Sequence, residues 1–420
     1  MTIMATVILL GTLDTKGMEY DYLRQCIQQA GCDVILIDVG IKGQPQIKPD
    51  IPHEQVAQAA NVDLAQLVAT GDRNTAIEAM ARGATRVVLD LFQHGRVQGI
   101  FGLGGFGSST LVTQVMRALP IGLPKLVVAT MVAGDTRPFV GAVDITMMHS
   151  VVDMAGINRI SEHILTNAAA GIAGMATAYA TFKARSSGKP LIGITMFSVT
   201  APCVNEARTY LEEHGYEVLV FHANGTGGQS METLVKDGFL AGILDITPTE
   251  LADELLGGIM SAGPQRLEAA GAKGIPQIVS LGALDMVNFG PMNTVPDKFR
   301  RRKLYNHNEA LTLMRTTEEE NAELGRLMAR KLNQAQGPIV VFIPLHGFSL
   351  LDVEGAPFYD PTADQALISN LKDHLNKDIE FHELEMDLND PRFARAMASR
   401  LDEYVQTQIK QPASNQHTTA

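Results

Sequence analysis

The stretch VQGIFGLGGFGSST, residues 97–110, decides the fold because glycines join an apolar segment to a helical one. Its apolar start, Val97–Phe101, predicts a buried strand, and Leu111–Ala118 has a helical pattern. Glycines at such a junction let the backbone approach an anion, and the first turn of the helix offers unpaired N–H groups with a partial positive charge. The hydroxyls of Ser108, Ser109 and Thr110 add donors there. The junction therefore predicts a site for a phosphate or a nucleotide.

Two other interpretations of this junction stay open. Gly102, Gly104 and Gly107 also match the Gly-x-Gly-x-x-Gly spacing of dinucleotide sites. That pattern normally opens the first strand unit, and an acidic residue ends the next strand. Here the junction lies well inside the chain, and the following strand, Lys125–Thr130, ends without an acid. The third interpretation is that the glycines serve only close packing of strand on helix.

Composition and charge exclude several classes of protein. The chain has 420 residues, of which 45% are hydrophobic and 19% charged, as expected for a soluble globular protein of two or three domains. A formal net charge of −12 argues against a nucleic-acid-binding surface. No apolar run reaches the roughly 18 residues that span a membrane, and three cysteines do not form a disulfide framework. We expect a cytoplasmic protein without nucleic-acid or membrane partners.

The order of apolar and helical segments predicts the fold class. Strands alternate with helices along the whole chain, which is typical of an α/β protein with mainly parallel sheets. The run Ser186–Pro190 interrupts this order, and a new strand follows it directly. The pattern then repeats, so that the glycine turn at Gly31 recurs 184 residues later at Gly215.

This repeat predicts the domain organisation. We expect two Rossmann-like, doubly wound parallel-sheet subdomains, residues 1–185 and 189–405, with the first one binding the nucleotide. Halves of this kind usually leave a ligand cleft between them, so we expect an interdomain cleft. The polar segment at residues 411–420 is expected to be a disordered tail.

Two further loops have the composition of anion sites. The second half contains His222–Ser230, in which glycines, Thr226 and Ser230 lie between a strand and a helix. The sequence does not decide which glycine loop, residues 102–110 or residues 224–230, holds phosphates. The first strand ends in Gly11–Gly17, where Thr12 and Thr15 could donate to an anion, Lys16 balance its charge, and Asp14 hold a metal or a ribose hydroxyl. An ordinary helix cap explains this loop equally well.

Three residues in the second half are candidates for acid–base catalysis. Asp285, His307 and His346 each follow or flank a predicted strand end, where loops of a doubly wound sheet can converge. Each histidine on its own is more often structural than catalytic. The sequence contains no HExxH motif, Walker loop or Gly-x-Ser-x-Gly elbow, and it identifies no set of metal ligands.

Four motifs are informative together: GTLDTKG at 11–17, GLGGFGSST at 102–110, GDTRP at 134–138, and His307-Asn308 followed by Arg315-Thr316-Thr317. Taken together they resemble a known family, the Tm-1-like ATP-binding domain family, which includes the N-terminal region of the tomato mosaic virus resistance protein. The resemblance implies two Rossmann-like subdomains, ATP binding and a homodimer. Carried over by motif, the implied nucleotide contacts are Thr12, Asp14, Lys16, Gly104, Gly105, Gly107, Ser108 and Thr110.

The sequence therefore supports three hypotheses of function. The first is a protein that binds ATP, with magnesium, and is an ATP-dependent metabolic enzyme for a small carboxylated or phosphorylated compound. The second is a non-catalytic module that closes on a nucleotide and presents a surface to another protein. The third is an enzyme that uses Asp285, His307 and His346 for acid–base chemistry on a small acid without a nucleotide.

Overall fold

The computed structural model describes residues 4–69, 71–182 and 188–410. The chain divides into two compact units, Met1–Arg185 and Ser186–Ala420. The predicted tail at residues 411–420 lies outside the described residues. Within the described ranges, no helix combines the length and the apolar character needed to cross a lipid bilayer.

The N-terminal unit is a five-stranded parallel sheet with helices on both faces. Its strands are β1 (Thr6–Gly11), β2 (Asp33–Asp38), β3 (Gly99–Gly104), β4 (Lys125–Ala129) and β5 (Ile145–His149). Its helices are α1 (Leu13–Gln29), α2 (His53–Ala59), α3 (Leu64–Ala69), α4 (Arg73–Gln93), α5 (Phe106–Arg117), α6 (Arg137–Val140) and α7 (Arg159–Thr181). The strand order is β2-β1-β3-β4-β5, so the chain reverses its direction of winding between β1 and β3.

Alternate side chains of the strands build two cores on the faces of this sheet. Val7 and Leu9 of β1 pack under α1 and α7, together with Phe101 of β3. Ile8 and Leu10 of β1 pack on the other face, under α4 and α5. Because both faces are covered, the central parts of the strands are apolar, which is the sequence signal that identifies them.

The C-terminal unit has a six-stranded parallel sheet. Its strands are β6 (Leu191–Met196), β7 (Glu217–His222), β8 (Gly242–Asp245), β9 (Gln277–Val279), β13 (Ile339–Pro344) and β14 (Glu380–Leu384). They lie in the order β14-β13-β9-β8-β6-β7. Its helices are α8 (Ala201–Glu213), α9 (Thr226–Lys236), α10 (Glu250–Leu256), α11 (Ala269–Lys273), α12 (Glu318–Leu332), α13 (Pro361–His374) and α14 (Pro391–Lys410). The predicted fold class, α/β with two Rossmann-like parallel sheets, is confirmed.

One part of the C-terminal unit was not predicted. Between β9 and α12 the chain forms a small antiparallel sheet in the order β10-β12-β11, with strands β10 (Met286–Phe289), β11 (Leu304–Asn308) and β12 (Leu311–Arg315). Three-residue 3-10 turns lie at Ser198–Thr200, Met292–Thr294 and Asp297–Phe299. The antiparallel strands are short and β11 is mostly exposed, so they lack the continuous apolar run that marks the parallel strands.

Candidate functional site

A cleft in the N-terminal unit opens where β1 and β3 end side by side. The helices that follow these two strands pack on opposite faces of the sheet, since α1 belongs to one core and α5 to the other. The loops after β1 and β3 therefore diverge and leave a crevice at the carboxyl edge, the usual ligand position in open α/β sheets.

The cleft is open to solvent at its mouth and has one polar end and one apolar wall. The polar end combines backbone, hydroxyl, carboxylate and cationic groups, whereas the wall is built from aliphatic side chains. The lining consists of Gly11, Thr12, Asp14, Thr15, Val39, Ile41, Lys42, Arg73, Ala76, Ile77, Met80, Gly107, Ser108, Leu111 and Val112. A small-molecule site of this kind typically pairs an apolar surface with a few placed polar groups.

Tyr20 fixes the two strand ends that form the floor of the cleft. Its hydroxyl donates to the Leu10 carbonyl at 2.6 Å and accepts from the Leu103 N–H at 3.0 Å, so one phenol joins β1 to β3. Burial raises the pKa of Tyr20, which keeps this hydroxyl protonated. The ring occupies the space beside Gly11, where an added Cβ would lie 2.0 Å from it. Gly11 is therefore required by packing.

Asp38, at the end of β2, holds the loop after β1 in place. Its Oδ1 accepts hydrogen bonds from the Leu13 N–H at 3.0 Å and from the Gly40 N–H at 2.8 Å. The side chain is fully buried, and burial raises its pKa against the opposing effect of those two N–H groups and of His53. His53 Nδ1 lies 3.1 Å from the other oxygen, Oδ2. Asp38 thus acts as the anchor of the polar end of the cleft.

Asp14 joins the two loops that frame the polar end. Its Oδ2 accepts from the Lys42 N–H at 2.7 Å, and the carboxylate packs so closely on Gly40 that a Cβ there would lie 2.7 Å from Asp14 Cγ. Its Oδ1 is buried and has no hydrogen-bond partner. A buried carboxylate oxygen without a donor is costly, and it marks a position where a ligand or cation would be favourable.

The glycine junction is tighter than the sequence suggested. Strand β3 continues through Gly104 because it pairs with β4 up to the Gly104 and Ala129 positions, and α5 begins at Phe106. Only Gly105 lies between them, as the residue before the helix, and no side chain caps the N-terminus of α5. Gly107 and Ser108, in the first turn of α5, line the cleft, so the open end of this helix faces it.

Two cations complete the polar end. The guanidinium of Arg73, the first residue of α4, lies beside Gly107, where an added Cβ would be 3.0 Å from its Nη2. Lys42 follows β2 in the chain and also lines the cleft. Both side chains are exposed, and within the described ranges we find no acidic side chain paired with either.

The structure brings together half of the eight nucleotide contacts implied by the resemblance. Thr12, Asp14, Gly107 and Ser108 line the cleft. Lys16, Gly104, Gly105 and Thr110 do not belong to its lining. The Lys16 ammonium donates to the Met154 carbonyl, and the Thr110 hydroxyl donates to the Phe106 carbonyl of its own helix at 2.9 Å.

Sequence reasoning missed four residues of this region: Lys42, Arg73, Asp38 and His53. Arg73 follows Asp72, whose side chain caps α4, so in the sequence it looks like an ordinary first-turn residue. Asp38 carries a detectable signal, because an acid at the end of the second strand of a doubly wound sheet is a recurrent ligand position. Here its bonds to backbone N–H groups make it an anchor of the loop.

The second glycine loop already contains an anion that belongs to the protein. Glu250 Oε1 accepts hydrogen bonds from the Gly225 N–H at 2.7 Å and the Gly228 N–H at 3.1 Å, at the start of α9. Its Oε2 pairs with Arg266 at 2.6 Å. A Cβ on Gly228 would lie 2.1 Å from the Glu250 carboxylate, so no room is left for a phosphate. This comparison favours the first glycine loop as the site of an external anion.

The three acid–base candidates occupy different surroundings. Asp285 is fully buried, its Oδ2 accepts from the Ser349 hydroxyl at 2.9 Å, and burial raises its pKa. His307 lies on the exposed strand β11. The His346 side chain is 58% exposed and lies 3.0 Å from Glu385, which is 79% exposed. No described cavity is lined by any of the three.

Comparison with protein families matches both units. A profile described as the N-terminal domain of the uncharacterised protein family UPF0261 matches residues 5–181. The profile for the C-terminal domain of the same family matches residues 189–405. The UPF0261 protein of Clostridium tetani is 48% identical over 396 residues, which cover 94% of this chain and 98% of the relative.

A plant homologue and a solved structure are also similar to the chain. The tomato ToMV resistance protein Tm-1 from Solanum lycopersicum is 42% identical over 330 residues, which cover 77% of this chain and 44% of the tomato protein. Among solved structures, the UDP-N-acetylglucosamine 2-epimerase from Rickettsia bellii aligns over 97% of both chains with 12% identity and a TM-score of 0.23. The chain belongs to the uncharacterised protein family UPF0261, and the tomato Tm-1 proteins are its homologues.

Proposed function

We propose that the N-terminal unit binds ATP in the cleft between the ends of β1 and β3. The observation that carries this proposal is the uncapped start of α5, which faces the cleft beside Arg73 and Lys42. A helix N-terminus with two unpaired cations nearby is suited to a polyanion. The likeness of the chain to the Tm-1 family supports ATP among possible polyanions.

The lining separates the groups suited to phosphates from those suited to a base. The N–H groups of the first turn of α5 and the hydroxyls of Thr12 and Ser108 would hold phosphate oxygens, while Arg73 and Lys42 would balance their charge. The aliphatic wall formed by Ile77 and Met80, among others, would cover the adenine.

Magnesium fits this site through one carboxylate. Within the described residues no group of three or more His, Cys, Asp or Glu side chains could enclose a metal ion. Magnesium bound with a nucleotide usually needs only one or two carboxylates, because phosphates and waters supply its other ligands. Asp14, with its unpartnered Oδ1 beside the polar end, is the residue that would hold it.

Isothermal titration calorimetry tests the proposal. ATP, ADP, NAD and NADP are titrated into the full chain with and without magnesium, and we expect ATP to bind and the dinucleotides not to bind. Arg73→Ala should weaken ATP binding about tenfold, the equivalent of one charge-assisted hydrogen bond. Arg82→Ala is the matched control, since Arg82 is exposed on the same helix and outside the cleft lining. If none of the nucleotides binds, the proposal is wrong.

The same assay separates the competing functions. Tight ATP binding without turnover would favour a nucleotide-gated module over an ATP-dependent enzyme. The nucleotide-free acid–base enzyme is the least supported of the three functions. Asp285 is buried and hydrogen-bonded to Ser349, whereas His346 is exposed and lies beside Glu385. We further propose the homodimer that the resemblance implies, which light scattering of the full chain tests.

A further inference from the structure

A second cavity adjoins the cleft and shares part of its wall. Lys42 and Ile41 line both spaces. The rest of the second cavity comes from the segment after β2 and from α2 and α3, and it contributes the amides of Gln44, Gln58 and Asn61. Lys42, which is suited to the phosphates of a nucleotide in the cleft, thus also faces the second cavity.

The second cavity contains a buried histidine on a buried carboxylate. His53 lines the cavity but is only 5% exposed, and its Nδ1 lies 3.1 Å from Oδ2 of the fully buried Asp38. This contact is close but is not aligned as a hydrogen bond. Neither His53 Nδ1 nor Asp38 Oδ2 has any other hydrogen-bond partner. The second ring nitrogen, Nε2, lies 3.0 Å from Glu54, whose side chain is 62% exposed. The hydrogen bond between Nε2 and Glu54 places a ring hydrogen on Nε2, because a carboxylate only accepts. When the exposed Glu54 side chain moves away, the Asp38 carboxylate beside Nδ1 favours the tautomer whose Nε2 accepts a proton.

We propose that the cleft and this cavity form one phosphotransferase site, in which the cavity binds a small hydroxylated acid and His53 accepts the proton of its hydroxyl. This inference rests on the proposed binding of ATP in the cleft. Asp38 is a positioning residue in it, because its other oxygen is held by the N–H groups of Leu13 and Gly40.

The transfer step balances with the groups named. The acceptor oxygen forms a bond to the γ-phosphorus of ATP, the bond from that phosphorus to the bridging oxygen breaks with its electron pair, and ADP leaves. The hydroxyl proton passes to Nε2 of His53 and then to solvent. The acceptor hydroxyl takes the place of the exposed Glu54 side chain at Nε2.

The polar groups of the cavity define the class of acceptor. Lys42 supplies a positive charge for one carboxylate, and the amides of Gln44, Gln58 and Asn61 can bond to several hydroxyls. The carboxylates of Glu54 and Asp63 also line the cavity and can accept from hydroxyls, so the lining suits an acceptor with more hydroxyls than carboxylates. A carboxylate acceptor would need no base, whereas a hydroxyl does, so the buried histidine favours transfer to a hydroxyl.

The first experiment measures turnover with defined acceptors. ADP release from magnesium and ATP is followed with water alone and with glycerate, tartrate or gluconate, and the phosphorylated product is identified by phosphorus NMR. We expect at least one of the acids to accelerate ADP release tenfold or more over water. If none does, the inference is wrong, while the proposed ATP site stands as long as ATP still binds by calorimetry.

The second experiment tests His53 itself. His53→Gln should lower acceptor-dependent turnover about 100-fold, a typical contribution of a general base, and leave the Kd for ATP unchanged. In His53→Ala, added imidazole should restore part of the turnover, which a purely structural histidine would not show. Ala65→Trp, on the exposed surface of α3 that lines the cavity, should abolish the acceleration by the acid without weakening ATP binding. Full turnover in His53→Gln, or no rescue by imidazole, would overturn the role of His53.

Discussion

The two glycine loops share a pattern in the sequence but differ in what lies against them. Each ends a parallel strand and begins a helix, α5 in the N-terminal unit and α9 in the C-terminal unit. At α9 the carboxylate of Glu250 accepts from two loop N–H groups and is itself paired with Arg266. At α5 no side chain caps the helix, and the guanidinium of Arg73 lies beside Gly107 in its first turn.

This difference shows that the geometry of a glycine loop does not by itself identify a ligand site. The N–H groups at the start of a helix must be satisfied by some acceptor. Where the protein supplies its own buried anion, the loop is structural; where it supplies cations and leaves the N–H groups open, the loop is suited to an external anion. The deciding residue, Glu250, lies 25 positions from Gly225 in the sequence.

The largest effect is expected on removing the internal anion. Glu250→Ala leaves the Gly225 and Gly228 N–H groups without an acceptor and Arg266 with one partner fewer, so we expect a loss of about 3 kcal/mol in the free energy of unfolding, the low end for a broken buried ion pair. Asp245, 2.5 Å from Arg266, keeps the loss from being larger. Urea denaturation measures this loss.

Inorganic phosphate distinguishes a vacated anion site from simple damage. Added phosphate should stabilise Glu250→Ala more than the wild type, because both proteins have the open site at α5 and only the variant has a second open anion site at α9. Glu254→Ala, an exposed position on the same helix, is the control and should be close to neutral. Equal responses of variant and wild type to phosphate would contradict the comparison.

The reverse change places an anion at the open loop. Gly107→Asp puts a carboxylate in the first turn of α5, where the added Cβ would lie 3.0 Å from the flexible end of Arg73 and 3.3 Å from Cδ1 of Ile77. We expect ATP binding to weaken about 100-fold through like-charge repulsion. Gly107→Asn has nearly the same shape without the charge, and calorimetry should show a much smaller loss. Equal losses in both variants would mean that space, and not charge, governs this loop.

A smaller effect is expected in the pH dependence of stability, through the buried acid Asp253 on α10, the helix that also carries Glu250. Burial raises the pKa of Asp253 from 3.8 to about 7, while bonds from Asn288 oppose the shift. The folded state therefore holds this proton more tightly than the unfolded state, so its contribution to stability is complete below 3.8 and is lost as the pH rises towards about 7.

Asp253→Asn removes this titration. Asn288 can accept from the new amide, because its Oδ1 is buried without a partner. Between pH 5 and pH 8 the wild type should lose at least about 1.4 kcal/mol more unfolding free energy than the variant, the equivalent of one pKa unit. Parallel pH profiles of the two proteins in urea denaturation would contradict this assignment.

The smallest effect is expected at Lys16, near the start of α1. Its ammonium donates to the Met154 carbonyl and lies outside the cleft lining. Lys16→Ala should therefore change the Kd for ATP less than about twofold, a difference below 0.5 kcal/mol. Lys42→Ala provides the contrast, since Lys42 lines the cleft, and it should weaken ATP binding more than Lys16→Ala does. A larger loss of ATP affinity in Lys16→Ala would mean that Lys16, and not Lys42, balances the phosphate charge.

Much of the fold could be predicted from the sequence, because both faces of each sheet are covered. Strands such as β1 and β3 are apolar throughout, and this signal needs no knowledge of distant residues. The antiparallel strands β10 to β12 carry no comparable run, so the sequence pattern does not predict them. The pattern therefore predicts the layered core and fails for the small antiparallel sheet.

The sequence predicts only those residues of the candidate site that lie directly after a strand. Thr12, Asp14, Gly107 and Ser108 follow directly after strands, so topology brings them together. Arg73 and His53 reach the site from helices between β2 and β3, and nothing in their own sequence neighbourhood indicates which way they face. The occupation of the second loop by Glu250 is equally invisible in the sequence, because an acid in the first turn of a helix is ordinary.

The phenol that joins β1 to β3 has an evolutionary consequence. Tyr20 fills the space over position 11 so completely that a methyl group there would overlap its ring. A side chain at position 11 and a tyrosine at position 20 therefore exclude each other. Across homologous sequences we expect glycine and tyrosine to be kept or exchanged as a pair, and a lineage that loses the tyrosine should be free to lose the glycine as well.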